Sequence, residues 1–574
     1  MSLFGSLQIA SNALQATQIG LHVVGNNIAN ANTPGYIREE VLYSPAPVQE
    51  YGRLTLGLGV EIDAIVQKVD RFLAERTRGA ASDRAGAEVQ SKAYADLESL
   101  LNELTDTDLS TGLTGFFNSI DGVADAPADI SARNLVIGKG QTLAADIRRL
   151  ATRAVDVSNE LDTRLGDAVE EINQLTERVR VLNLRIATSE GGSASASEAG
   201  GLRSERNKAV NRLAELVDIT TNEQPNGALN ISVGGEFLVF DGLRRDIATE
   251  TQTTDGLSTT TVRFADNGKE LNLSGGEVFG LTAARDDIAG TFIQTLDDFS
   301  GTLINEFNKV YSQGQGATGF SSLTSVNGVA DPDAVLDEAG LDFAPDKGAF
   351  ELLVFTEGPD GSRSTDVTDI NIDLNGIDGD TTLNTLAAAI NAVSGVTASV
   401  DTLGRLSISA DSKDVTFAFN GDDSGALAAL GLNTFFTGAD ARTIGVNSEL
   451  LGVSNAAKFA AARTSQTETE ANANANALEL SVFFDRKLEA LGGASLADQY
   501  DQMINEVVTG ATIASSVTEG FKIFEATLQG EEQAISGVNI DEEAINMIQL
   551  QRTYQANARL VQAISEMLDI LVNL

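Results

Sequence analysis

The sequence predicts a multidomain α+β protein. It would carry a terminal α-helical coiled coil made from both chain ends, a long-helix bundle core domain and an inserted β-rich outer domain. Three observations carry that expectation. Both ends place apolar residues at alternating steps of three and four, residues from about 142 to 217 keep the same rhythm, and residues 315–455 shift to Gly, Asp, Thr and alternating apolar positions.

From Met1 through Ile37 there is no Asp, Glu, Lys or Arg, in a chain that is 21% charged. Leu3, Leu7, Ala10, Leu14, Thr17, Leu21, Val24, Ile28 and Ala31 form a heptad seam on one helix. The other face holds Gln8, Asn12, Gln15, Gln18 and Asn26, polar but neutral, where a membrane-surface helix needs Lys or Arg.

The far end mirrors this. Met547, Leu550, Tyr554, Asn557, Val561, Ile564, Leu568 and Leu571 also step by three and four. Asn539 followed by Glu542 is a capping-box-like start, and no Pro follows Pro359, so a helix is expected from about Ile540 to the last residue. The expected polymerisation interface is Leu7, Leu14, Leu21, Val24 and Ile28 together with Met547, Leu550, Tyr554, Val561, Ile564, Leu568 and Leu571. Two such helices alone bury too little apolar surface to offset the entropy of ordering them. Both ends are therefore expected to be mobile in a monomer and ordered in a polymer.

Between the ends, Arg53–Ile62 reads as strands around a Gly turn, and a helix is expected from about Asp70 to Leu104. The longest helix should run from roughly Thr142 to Ser189, with Leu202–Val217 folding back on it after the Gly191–Ser197 break. Strands are expected from Ile219 to Leu273, notably Ile231–Val233 and Phe237–Phe240, and a helix from about Leu281 to Tyr311. Thr382–Val393 is the best helix within the β-rich insert, and helices at 476–491 and 495–529 return the chain to the core. The expected domains are 1–36 with 537–574 (terminal coiled coil), 37–314 with 456–536 (helical core, β section near 219–275), and 315–455 (β-rich outer insert).

Composition narrows function. The chain has no Cys, no Trp and one His, so disulfides and Cys- or His-built metal sites are excluded. A net charge of −43 disfavours nucleic acid and anionic lipid as partners. No apolar run reaches membrane-span length, so no membrane insertion is expected. The start lacks a basic n-region and a sustained apolar core, so no cleavable secretory signal is expected, and the protein would be cytosolic or leave by a route that cleaves none.

One stretch closes the first helix: Asn26-Asn27-Ile28-Ala29-Asn30-Ala31-Asn32-Thr33-Pro34-Gly35-Tyr36. Pro34 pushes Thr33 out of helical geometry and Gly35 can take positive φ in a tight turn. Near the other end, Ser536-Gly537-Val538-Asn539-Ile540-Asp541-Glu542-Glu543 leads to Tyr554-Gln555-Ala556-Asn557-Ala558. The two motifs, each at its own end, closely resemble the signatures of the flagellar rod, hook and hook-associated axial proteins. The motif residues are Asn26, Asn27, Asn30, Thr33, Pro34, Gly35, Tyr36, Gly537, Asn539, Asp541, Glu542, Gln555 and Asn557.

The resemblance implies an extracellular flagellar protein, exported by the flagellar type III apparatus and assembled as a ring. Its implied partners are its own copies, the hook protein, a second junction protein or filament, and a cytoplasmic export chaperone at the C-terminal helix. Hook proteins share these ends but have mostly β middles. The long helices at 142–217 and 281–311 therefore favour a hook-associated member at the hook–filament junction.

An enzyme is not expected. His22, the one His, lies off the seam on the polar face, which excludes His-based triads, and no cofactor motif appears. Asp373–Asp380 fails calcium-loop spacing because Ile377 occupies a ligand position, and reads as an acidic turn. The alternatives are a flagellar hook protein, a secreted adhesin or binding module built on 315–455, or a cytosolic coiled-coil scaffold.

Overall fold

The computed structural model describes residues 3–33, 35–51, 54–102, 108–190, 198–254, 257–358, 360, 362–377, 379–452, 454–463 and 474–572. Pro34 and the Gly191–Ser197 break lie outside the described residues. The protein mixes helix and sheet. Its α-helices, in order, are α1 (Leu3–Asn30), α2 (Arg71–Asn102), α3 (Leu109–Asp125), α4 (Ile130–Glu190), α5 (Gly200–Leu216), α6 (Gly276–Ala283), α7 (Thr291–Tyr311), α8 (Leu383–Asn391), α9 (Ala426–Leu430), α10 (Ala475–Ser481), α11 (Leu496–Ser536) and α12 (Ile540–Val572).

The elements differ from those expected in three places, and the first two share one cause. Helix α4 begins at Ile130, well before 142; α3 was not expected; and the helix expected over 476–491 stops at Ser481, giving way to short 3-10 turns at Phe483–Asp485 and Glu489–Leu491. Gly112, Gly115 and Gly122 in α3, and Gly138 and Gly140 in α4, lower helix propensity. Burial of Phe116, Phe117, Ile120, Val136 and Ile137 overrides it. Asp108 caps α3 by accepting from the Thr111 N–H.

The chain forms two compact units. The first comprises Met1–Ala93, Asn159–Ile288 and Thr512–Leu574. In it α1 packs along α12, and α1 also meets an antiparallel ribbon, Glu39–Pro45 with Val60–Gln67, extended by Val48–Tyr51 with Leu54–Gly57. Helix α5 runs antiparallel to the end of α4, with ion pairs stepping along both: Glu171–Arg212, Arg178–Glu205 and Glu190–Arg203. A four-stranded antiparallel sheet follows over Ile219–Arg244, then a hairpin pairing Ile247–Thr254 with Leu257–Phe264. Between α6 and α7, residues Ala284–Gly290 form a π-helix. Its Arg285 is buried and bonds to Asp162, Asp286 and the Thr260 carbonyl.

The second unit comprises Tyr94–Ser158 and Ala289–Ala511. Its helical part closes on an aromatic cluster in which Phe116, Phe307, Phe435 and Phe436 have ring centroids 4.8–5.7 Å apart. A separate apolar core runs from Phe320 to Leu432, holding two three-stranded sheets and α8, which Thr382 caps. The acidic turn is a hydrogen-bonded one: Asp380 Oδ1 accepts from the Asn375 and Gly376 N–H groups. The chain leaves this core beside the point where it enters, since Asn433 Nδ2 donates to the Gly314 carbonyl at 2.9 Å.

Candidate assembly site at the paired chain ends

The two end motifs meet in space. Helix α1 ends at Asn30, and the Tyr36 N–H bonds the Thr33 carbonyl at 3.1 Å with Gly35 at φ +77°. Gly35 thus takes, at the third position of the turn, a positive φ that favours glycine. The turn brings Tyr36, Arg38 and Glu39 back beside Asn27.

Asn27 is the hub. Its Nδ2 donates to the Glu39 carbonyl (2.9 Å) and to Glu543 Oε2 (3.2 Å), while its Oδ1 accepts from the Tyr36 hydroxyl (2.9 Å) and the Glu39 N–H (3.0 Å). All four of its hydrogen-bonding positions are satisfied, as a buried amide requires. Arg38 clamps the other chain end. It pairs with Glu543 at 2.7 Å and Glu542 at 3.3 Å, and its backbone N–H donates to the Ser536 carbonyl. Burial, then the nearby Glu39 and Glu543 carboxylates, hold the Tyr36 phenol well above its usual range.

The remaining motif residues shape the approach. Asn30 Nδ2 bonds the Asn26 carbonyl and side chain, Asn26 reaches the Tyr36 hydroxyl, and Thr33 donates to Asn30. A Cβ at Gly537 would stand 2.4 Å from the Gln533 carbonyl oxygen, so the close turn that ends α11 requires glycine. Asn539 Oδ1 accepts from the Asp541 and Glu542 N–H groups and caps α12. Asp541 is exposed at this N-terminus, whereas Gln555 and Asn557 lie farther along α12 and are not part of the cluster.

Above this clasp the helices run antiparallel, Asn27 facing Glu543 and Gly20 facing Leu550. Of the expected interface, Val24 and Ile564 are buried. Leu7, Leu14, Leu21, Ile28, Met547, Leu550, Val561 and Leu568 are half-buried, and Tyr554 and Leu571 are exposed. The most buried line on α1 is Ala10, Ala16, Thr17, Gly20, Val23, Val24 and Asn27, of which Ala10, Thr17 and Val24 lie on the expected seam. Small residues let α12 approach closely, leaving the larger seam residues at the edge. A second line on α12, Leu560, Ala563, Met567 and Ile570, also keeps three/four spacing and is exposed. His22 is exposed.

Arg38, Glu39 and Glu543 were not among the expected site residues. A signal for two of them existed: Arg38 is the first charged residue of the chain, and Glu543 lies four positions before Met547, on the backward extension of the seam.

Four family models match in chain order: flagella basal body rod protein over residues 7–36, the flagellar hook-associated protein FlgK helical domain over 94–323, the flagellin hook IN motif over 363–412, and the flagellar basal body rod FlgEFG protein C-terminal over 533–574. The chain is 26% identical over 579 residues to flagellar hook-associated protein 1 of Escherichia coli, covering 98% of both. It is 24% identical over 584 residues to that of Salmonella typhimurium, covering 98% of this chain and 99% of the relative. It is 30% identical over 233 residues to that of Bacillus subtilis, covering 39% and 45%. The solved flagellar hook junction protein FlgK from Burkholderia pseudomallei shares the fold, with TM-score 0.52 and 14% identity over 80% of this chain and 100% of that one.

A rod-type N-terminus paired with a rod-type C-terminus around a hook-associated middle defines a flagellar axial protein. Along 98% of its length the chain is homologous to proteins named flagellar hook-associated protein 1, and its middle matches the FlgK helical-domain model.

Proposed function

We propose that this chain is a structural component of the bacterial flagellum that joins hook to filament, assembling through its N- and C-terminal helices around the axial channel. The observation that carries the assembly mode is the apolar surface left after α1 and α12 have paired: Phe4, Ile548, Leu560, Met567, Ile570 and Leu571 remain exposed on helices that a single chain has already joined. Neighbouring copies in a ring would cover this surface, with the seam residues at its edge. The three-part division into terminal, core and outer domains belongs to the same reading.

The hook protein lies on one side of such a ring and a second junction protein or filament on the other. Before export, the amphipathic α12 is where a cytoplasmic chaperone would shield the seam. The neutral Gln and Asn face of α1 suits a channel wall past which unfolded subunits slide, because fixed charges would hold them. The protein's place is extracellular, on the flagellum. Its relatives are structural proteins, and catalysis forms no part of the reading.

Leu14→Asp and Leu568→Asp test it. Both variants should keep the thermal unfolding of the second unit while failing to appear in purified flagella. Normal incorporation and swimming by either variant would overturn the proposal.

A further inference from the structure

Helix α11 carries two seams one residue apart. Ala514, Thr518, Phe521, Glu525, Leu528 and Ile535 step by three, four or seven and are buried or half-buried, with Leu528 against Leu73 and Ala80 of α2. Ile513, Val517, Gly520, Phe524 and Thr527 repeat the same steps along the adjacent line and are exposed. Paired seams offset in this way belong to a helix with neighbours on two sides. Among the described residues of the first unit, only one side has a neighbour.

The exposed seam is large and uncharged. Ile513, Val517, Ile523 and Phe524 are 59, 45, 61 and 46% exposed. They present roughly 400 Å² of apolar surface, about half of one partner's share in a stable interface. The chain supplies more after a three-residue link, where Ile540, Ile545 and Ile548 of α12 are also about half exposed. Thr512–Gly530 holds three charged residues, Glu519, Lys522 and Glu525. Two of them are engaged inside the unit, Glu525 with Arg84 and Lys522 with Glu88. Copies that each carry −43 repel one another, so contact between them must use surface of this uncharged kind.

We propose that α11 is a second assembly helix, its Ile513–Val517–Gly520–Phe524 face covered by a second copy of this chain. The inference rests on the assembly reading above and extends the contact between copies from the terminal pair to the helix that precedes it.

A photo-crosslinking residue at position 517 of the full-length chain, in cells that build flagella, tests it, with the same residue at 560 as reference. A product of twice the chain's mass from position 517 in purified flagella is the expected result. Copy–copy product from 560 but none from 517, or capture only of a different protein at 517, overturns the α11 inference and leaves the terminal-helix reading intact. No copy–copy product from either position overturns both. The Val517→Ser/Phe524→Ser double variant should keep its thermal unfolding midpoint, because both side chains are exposed, and should lose about tenfold in retention on flagella. Full retention of that variant would also overturn the inference.

Discussion

Asn27 donates its side-chain amide to Glu543 across 3.2 Å, joining residues 516 positions apart whose side chains are each about 1% exposed. Between them they fix where α1 ends, where α12 begins and how far one can slide on the other, because each also bonds the segment that links α1 to the first ribbon. The apolar seams above can slip by a heptad at modest cost. A buried amide and carboxylate cannot, since a slip would leave both unpaired.

Glu543→Ala should therefore cost about 2–3 kcal/mol, the penalty for stranding a buried donor and one arm of a guanidinium. The loss should appear as faster amide exchange over the first turns of α12 and the last turns of α1, with the second unit's exchange unaltered. Unchanged protection at both places would show that the clasp does not hold the register.

Gly20 and Gly25 lie in one helix and should respond in opposite ways. A Cβ at Gly20 would stand 2.7 Å from the Tyr43 hydroxyl and 3.2 Å from Leu550 Cδ1, whereas at Gly25 it would meet nothing within 4 Å. Gly20→Val should destabilise α1–α12 pairing by about 1–3 kcal/mol through overpacking. Gly25→Ala should stabilise it by roughly 0.5–1 kcal/mol through helix propensity. Urea unfolding followed by helical circular dichroism separates the two.

Tyr36 sets an alkaline limit on the clasp. Its folded pKa is raised above its ordinary 10.0, so the stability it contributes is complete below that value and is lost as pH climbs through the folded pKa. Tyr36→Phe should cost about 1 kcal/mol at neutral pH, where Asn27 Oδ1 loses a donor, and should lessen the alkaline fall in stability. Unfolding curves from about pH 8 to about pH 11 provide the measurement, and equal alkaline slopes in the two proteins would contradict it.

The β-rich core should be removable, but not at the boundaries 315–455. Phe435 and Phe436 belong to the helical part's aromatic cluster, and the Gln315 and Ala317 N–H groups bond the Ala462 and Ala457 carbonyls. Excising residues 318–432 and closing the gap with a short glycine linker should leave a protein whose remaining helices unfold cooperatively. Excising 315–455 should collapse that cooperativity, as loss of two core Phe residues costs about 3–5 kcal/mol each. Calorimetry of the two deletions decides it.

Much of this fold was legible because period speaks for itself. The seams of α1, α4 and α12 and the Asn539 cap of α12 all follow from three/four spacing or capping residues within one segment. Helix α3 and the first turns of α4 were not legible, since their glycines argue against helix and only burial of Phe116, Phe117 and Val136 reverses that. The site divided the same way. Asn27, Tyr36 and Asn539 could be named from their motifs, while Arg38 and Glu543 carried only the fainter signals of first charge and seam extension, and their pairing is a tertiary fact.

By itself the sequence determined which residues form helices at the two ends, that those ends are poor in charge, and that the end motifs belong together in one protein family. Tertiary structure alone decided that the buried line of α1 runs through Ala10, Ala16, Thr17, Gly20, Val23, Val24 and Asn27, with the larger leucines at its edge. Helical period fixes a stripe only to within a residue either way, and the choice inside that stripe is made by how closely a second helix can approach.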